Sequence, residues 1–332
     1  MTTLRDVALA AQVSTMTVSR AINNPSQVKP ESLAKVRAAI QQLGYQTNRA
    51  AKALVTGSTG LIRLIAAEYL QQAEPYFVLL FAGINDVLNA RGLSMVVSRQ
   101  LDPTVQCDGT IVMSLPANQS KENDLQLLSK LSGPVVIFGK GPDHYDWVDV
   151  DNAQGTYATT QLLTHLGHQQ MAFFGINRRE PFVSERIQGF LQALEEAQLS
   201  VPPSHITSQV TAMQSVHSAK LHAIEFLCNH SVSAVVCVTD MVALGVIQGA
   251  RALGLRVPED LSVTGFDGVY EHTLFDPPLT TAEQPVRAIG RRLAEALLDR
   301  LENPLAPLVQ ELFPTKLVVR ESTTINTLIR NL

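Results

Sequence analysis

The spacing of apolar residues changes character once along the chain. Leu4, Val7, Ala8 and Ala11, then Val18, Ala21 and Ile22, then Leu33, Val36, Ile40 and Leu43 recur at helical intervals. Three short helices are predicted: Leu4 to Ala11, Thr15 to Asn23, and one opening at Pro30-Glu31. Local signals agree with those limits. Thr3 and Asp6 have the spacing of a capping box, Ser14 is placed to cap the second helix, Pro25 prevents its continuation, and Gly44 stops the third. From Leu61 onward the period is different. Short apolar runs at 61–67, 94–97, 110–113, 135–138, 148–150, 171–174, 234–238 and 262–266 read as strands. Helical stretches at 77–91, 153–166, 185–197, 216–228, 240–252 and 286–301 fall among them. Alternating strands and helices imply parallel sheets covered on both faces.

Between the two regimes, Asn48-Arg-Ala-Ala-Lys-Ala-Leu54 has room for two helical turns and runs into the polar linker Thr56-Gly-Ser-Thr-Gly60. Isolated helices shorter than about 12 residues are marginal in water, so this segment is expected to order only on a partner. The expected organisation is therefore a helical head at 1–46, a hinge at 47–59 and a large α/β core at 60–332.

Charge sharpens this division. The chain has 332 residues and a net charge of −4. Residues 1–60 hold seven basic and two acidic side chains, a net of +5, which leaves −9 for the rest. A basic head on an acidic body suits a protein whose head alone meets phosphate. Hydrophobic residues at 45% and charged residues at 17% fit a folded chain. The N-terminus has no basic and apolar leader, and no stretch reaches the length of a membrane span. A cytoplasmic protein without a membrane partner is the expectation. Cys107, Cys228 and Cys237 have no metal or disulfide spacing, and of eight histidines only His165 and His168 lie close, where helix-end roles are commoner than ligation.

The first two helices, separated by Gln12-Val-Ser14 and closed by a third, have helix-turn-helix form, with the second helix presented to the major groove. There Arg20 suits guanine O6 and N7, Thr15 and Thr17 suit phosphate or a thymine methyl, and Met16 suits an apolar base contact. The string Leu4-Arg-Asp-Val-Ala-Leu-Ala-Ala-Gln-Val-Ser-Thr-Met-Thr-Val-Ser-Arg-Ala-Ile-Asn-Asn24, with Val28, Val36 and Leu43-Gly-Tyr45, closely resembles the head of the lac repressor family. The resemblance implies that Thr15, Met16 and Arg20 read bases, while Ser14, Thr17, Ser19, Asn23 and Tyr45 support or contact the backbone. It also implies that Asn48 and Arg49 begin a hinge helix whose Leu54 wedges into the minor groove, at an unstacking cost offset by extra wrapped surface.

In the core, polar or glycine residues follow the apolar strands at Phe138-Gly139, Asp149-Val-Asp151-Asn152, Phe174-Gly175, Thr239-Asp240 and Gly265-Phe266-Asp267. Ligands of such sheets bind at strand carboxyl ends. Val257-Pro-Glu-Asp-Leu-Ser-Val-Thr-Gly-Phe-Asp267 and Pro278-Leu-Thr-Thr281 also resemble the family. That implies a core like the periplasmic sugar-binding proteins, two doubly wound parallel-sheet lobes with crossing strands and an effector cleft between them. Carried over, the effector contacts are Tyr76 or Phe77, Asp151, Arg186 within Ser184-Glu-Arg-Ile-Gln-Gly-Phe190, Thr239 or Asp240, and Asp267. For Asp240 a helix-capping role is equally open.

Two departures qualify the resemblance. Only twelve residues separate Val97 from Thr110, barely a parallel crossover, so the helix usual there is expected to be truncated or absent. Near 207–214, where some relatives place an aromatic ring over the ligand, this chain has Val210-Thr-Ala-Met213, which favours a sugar or sugar derivative over a stacked purine. The sequence has no G-x-S-x-G, P-loop or H-E-x-x-H signature. The expected function is an effector-controlled DNA-binding regulator, a repressor rather than an enzyme, with a sugar-binding receptor or α/β enzyme as the alternative. Its expected partners are palindromic operator DNA, a sugar or sugar phosphate, and a second copy in a homodimer, with a tetramer left open. No cofactor or metal is expected.

Overall fold

The computed structural model describes residues 2–23, 25–45, 57–66, 75–98, 105–113, 126, 128–177, 181–210, 215–269 and 274–326. Their contacts divide the chain into Met1–Thr59 and Gly60–Leu332. The expected contacts Asn48, Arg49 and Leu54, and the side chain of Asn23, lie outside the described residues.

In the head, α1 (Leu4–Ala11), α2 (Thr15–Asn23) and α3 (Pro30–Leu43) have the predicted limits. Asp6 N donates to Thr3 Oγ1 at 3.3 Å while Thr3 N donates to Asp6 Oδ2 at 2.8 Å, completing the capping box. Thr17 N donates to Ser14 Oγ at 3.1 Å, and α3 ends where Gly44 turns to φ +56°. These bonds satisfy amides that helix ends leave without partners. Val7, Ala8, Ala11, Val18, Ala21, Val36 and Ala39 form a small buried core, flanked by Leu4, Ile22, Leu33, Ile40, Leu43 and Tyr45.

The core unit contains two six-stranded sheets. The first comprises β1 (Leu61–Ile65), β2 (Ser94–Ser98), β3 (Gly109–Met113), β4 (Val135–Phe138), β5 (Asp146–Val150) and β11 (Gln310–Phe313), in the order β11-β5-β4-β3-β1-β2. The second comprises β6 (Met171–Ile176), β7 (Ile206–Val210), β8 (Ala234–Cys237), β9 (Ser262–Asp267), β10 (Thr280–Glu283) and β12 (Lys316–Val318), in the order β12-β10-β9-β8-β6-β7. Every described pairing is parallel except β10 with β12. Helices α4 (Pro75–Ala90) and α9 (Val286–Glu302) pack together in the first lobe. In the second, α5 (Asn152–His165) packs on α6 (Pro181–Glu196) and α7 (Ser215–Asn229) on α8 (Asp240–Ala252).

The chain passes between lobes three times: from β5 to α5 near Asp151, from β10 to α9 near Gln284, and from β11 to β12 near Thr315. Each passage lies at the carboxyl end of a strand. Strands β7, β10, β11 and β12 were not predicted. They are three to five residues long and partly polar, and for β7, β11 and β12 the pairing partners lie more than thirty residues away in sequence. Between β2 and β3, residues 105–108 carry no helix, and 99–104 lie outside the description.

Glycines allow all three of these helix pairs to touch through their backbones, α7 and α8 at Gly245, where a Cβ would lie 2.4 Å from Val216 O. A Cβ on Gly290 would lie 2.2 Å from Leu80 O, one on Gly83 2.2 Å from Arg287 O, and one on Gly189 2.0 Å from Ala153 O. Backbone on both sides leaves no flexible atom to yield. Gly290→Ala should therefore push α9 off α4 and lower the unfolding free energy by about 1–3 kcal/mol in urea titrations, whereas an unchanged midpoint would show that the helices have room to separate.

Candidate functional site

The head presents one face of α2. Val18 and Ala21 turn inward, while Thr15, Met16 and Arg20 are exposed, Met16 by 63%. Leaving an unbranched apolar side chain in water on a small domain is understandable if a base edge covers it. Ser14 and Thr17 are joined through their hydroxyls at 2.9 Å at the start of this face, Ser19 is half-buried, and Tyr45 packs half-buried on the head's core.

In the core unit, α6 carries Arg186 inward until it is only 4% exposed. Its Nε donates to Asn152 Oδ1 at 2.9 Å and its Nη1 donates to the carbonyl of Val238. The same Nη1 faces Asp267 Oδ1 at 3.6 Å. The guanidinium carbon lies 3.5 Å from the centroid of the Phe266 ring and 4.9 Å from that of Phe182. Asn152, Val238 and Asp267 stand at or just beyond the ends of β5, β8 and β9, so three strand ends converge on one cation. Burial draws the Arg186 pKa down, and Asp267 is foremost among the neighbouring groups that oppose this.

Asp267 itself is held in an unusual conformation, with φ at +124°. Such backbone costs on the order of 1–3 kcal/mol and persists only where its surroundings impose it. Gln284 N donates to Asp267 O at 3.0 Å, Gln284 Nε2 donates to Asp267 Oδ1 at 2.9 Å, and Gln284 Oε1 accepts from Tyr76 Oη at 3.1 Å. On the other side Asp240 Oδ2 accepts from Gly268 N at 2.8 Å and Asp240 Oδ1 from Thr281 Oγ1 at 2.6 Å. Gly265 makes room for this carboxylate, since a Cβ there would lie 2.3 Å from Asp240 Oδ1.

The structure thus brings Tyr76, Arg186 and Asp267 into one polar network through Asn152 and Gln284. Asp151 stands at the first passage between lobes, half-buried, and caps α5 by accepting from Gln154 N at 3.0 Å. Like Asp151, three more of the expected contacts have structural work. Phe77 is 8% exposed and belongs to the first lobe's core, so of the pair with Tyr76 only Tyr76 reaches the polar network. Thr239, not Asp240, is the helix cap, accepting from Val242 N at 3.3 Å. Asp240 is 2% exposed, and its two oxygens accept from Gly268 N and Thr281 Oγ1, which clamps the turn after Asp267. Sequence reading overlooked Asn152, Gln284, Glu185 and Lys140. Asn152 was within the Asp149–Asn152 string and Glu185 adjoined Arg186, whereas Gln284 follows no apolar run and carried no signal.

Carboxylates dominate the surroundings. Burial pushes the Asp149 pKa up to about 6, partly offset by the N–H groups of Val150 and Lys140, which donate at 2.8 and 3.2 Å. Burial likewise raises Asp240, to about 6, against the bonds from Thr281 and Gly268.

A basic trihelical head with an exposed recognition helix, and a polar site where two α/β lobes meet, define a DNA-binding regulator that senses a small molecule. Residues 3–48 match the model of bacterial regulatory proteins of the lacI family, and residues 160–323 match the periplasmic binding protein-like domain. The HTH-type transcriptional regulator YvdE of Bacillus subtilis, itself uncharacterized, is 37% identical over 331 residues, 97% of this chain and 100% of that protein. CelR of Thermobifida fusca is 31% identical over 342 residues, 96% and 98% of the two chains. Among solved structures, the lac repressor dimer bound to operator and the anti-inducer ONPF aligns with a TM-score of 0.83 at 26% identity, over 97% of this chain and 99% of that one. The CelR–cellobiose complex aligns at 0.70 with 30% identity, over 97% and 100%. The chain belongs to the lac repressor family of transcriptional regulators.

Two outcomes follow from these sites. Arg20→Ala should relax base preference at one position of the operator at a cost of about 1–3 kcal/mol, read by binding to a randomised-site library; equal weakening on all sequences would reassign Arg20 to phosphate. For Asp149 the folded pKa of about 6 lies above the roughly 3.9 of an unfolded chain, so the folded state binds the proton more tightly. Its contribution to stability therefore grows as pH falls through 6 and is complete below the unfolded value. Asp149→Asn should reduce the gain in unfolding free energy between pH 7 and pH 5 by about 1 kcal/mol, and an unaltered pH slope would place the titration elsewhere.

Proposed function

We propose that this protein is a repressor that binds a palindromic operator as a two-fold dimer and is controlled by a neutral sugar bound against Arg186. The observation that carries the effector reading is the buried guanidinium between Asn152 and Asp267 where the strand ends of two lobes meet. Carboxylates, amides and arginine bond hydroxyl pairs well in a sheltered cleft. Charge favours a neutral ligand over a phosphate. Among the described residues the carboxylates Asp149, Asp151, Glu185, Asp240 and Asp267 outnumber the nearby cations Arg186, Lys140 and Arg320, and Arg186 and Lys140 each already face a carboxylate. CelR, a full-length relative, is known in complex with cellobiose, which supports the same class.

On the DNA side, Thr15, Met16 and Arg20 read the major groove. Asn48, Arg49 and Leu54 supply a hinge that orders on the operator, with Leu54 in the minor groove. A dimer follows from the small surface of one head and gives the operator its two-fold symmetry. The protein works in the cytoplasm, where its operator is.

A thermal-shift panel of neutral mono- and disaccharides, including ribose and cellobiose, set beside sugar phosphates tests the ligand class. A ligand at 100 times its dissociation constant should stabilise the core by about 2.7 kcal/mol, and Arg186→Ala or Asp267→Ala should remove that gain. Stabilisation by phosphorylated sugars alone would overturn the reading.

A further inference from the structure

Glu185 and Arg186 are consecutive on α6, yet they address different lobes. Arg186 Nε donates to Asn152 Oδ1 at 2.9 Å, and Asn152 Nδ2 donates to Glu185 Oε2 at 3.1 Å. Glu185 Oε1 in turn accepts from Lys140 Nζ at 2.7 Å. Lys140 follows β4 in the first lobe, α6 belongs to the second, and Asn152 lies where the chain first passes between them.

Each link admits one arrangement. Asn152 is 1% exposed, and its second amide hydrogen donates to Val150 O at 3.3 Å. Reversing the amide would set its NH₂ against a guanidinium and its oxygen against a carboxylate, so the orientation is locked. The Glu185 side chain is 15% exposed and that of Lys140 43%, so the ion pair is screened less than one wholly in water. Burial lowers the Lys140 pKa, but the bond and charge of Glu185, with Asp149 and Asp151 behind it, outweigh this and hold the ammonium above its ordinary range.

We propose that Lys140, Glu185 and Asn152 form a strut between the lobes, a set of positioning residues that aims Arg186 at the effector and ties effector binding to the relative placement of the lobes. This rests on the effector reading above. Opening the lobes lengthens the Lys140–Glu185 contact, frees one Glu185 oxygen and loosens Asn152 behind Arg186. A ligand that engages Arg186 thereby favours the arrangement in which all three links are made.

The test uses full-length protein and the variants Lys140→Met, Glu185→Gln and their combination, with Lys140→Arg as the conservative control. Hydrogen exchange without ligand should rise severalfold in residues 139–145 and in the first turn of α6 for each single variant. The double variant should exchange no faster than either, because the two residues act as one unit. In calorimetry with the sugar that gives the largest shift in the panel above, affinity should fall about tenfold in the single variants and recover in Lys140→Arg. Wild-type exchange in the variants, additive effects, or loosened segments with unchanged sugar affinity would each overturn the strut. If no panel sugar binds the wild-type protein, the effector reading fails, and the ligand-free exchange still decides whether the strut joins the lobes.

Discussion

A guanidinium held out of water at the junction of two lobes constrains much of the ligand-binding core. An uncompensated buried charge costs several kcal/mol, so Arg186 is tolerable only because its Nε and Nη1 find partners and an anion stands nearby. Those partners come from three strand ends and belong to segments spread from Asn152 to Asp267. Asp267 faces Arg186 with its backbone at φ +124°, between the bond of Gly268 N to Asp240 and the bonds of Gln284 to Asp267 itself. The close approach of Asp240 to β9 in turn requires a glycine at 265. One charge thus accounts for a strained turn, an inward carboxylate clamp and a missing side chain.

The path of the chain ties this junction to both lobes. Its three passages between lobes sit beside Asp151, Gln284 and Thr315, and the polar network runs through the first two. Within each lobe, helices meet backbone to backbone at Gly83, Gly189 and Gly290 and leave little room for internal adjustment. The passages between lobes are where the chain links the two sheets, and the polar network around Arg186 is bonded across the first two of them.

The head obeys different physics. Its core is a handful of small apolar residues, its limits are set by capping bonds between residues three apart, and its exposed face combines a cation, hydroxyls and a bare methionine. With +5 of charge in the first 60 residues on a chain of net −4, electrostatic attraction to phosphate acts on the head alone. Affinity for DNA and response to a small molecule are thus carried by separate parts of the chain.

The sequence by itself determined whatever depends on neighbours a few residues away. The limits of α1 and α2, the stop at Gly44 and the strands of the sheet centres were all legible, because caps, turns and hydrophobic period are local properties, while the candidacy of Arg186 and the residue roles came from the family resemblance. Only the tertiary structure decided the rest. Strands β7, β11 and β12 exist through pairing with distant partners, and nothing in Gln310–Phe313 or Lys316–Val318 announces which sheet each joins. Gln284 joined the polar network because β10 delivers it beside Asp267, Asp240 became bonded to Gly268 and Thr281, and Lys140 met Glu185 across forty-five positions of sequence. Which polar atoms remain available to a ligand depends on which ones the fold has already used, and that accounting closes only in three dimensions.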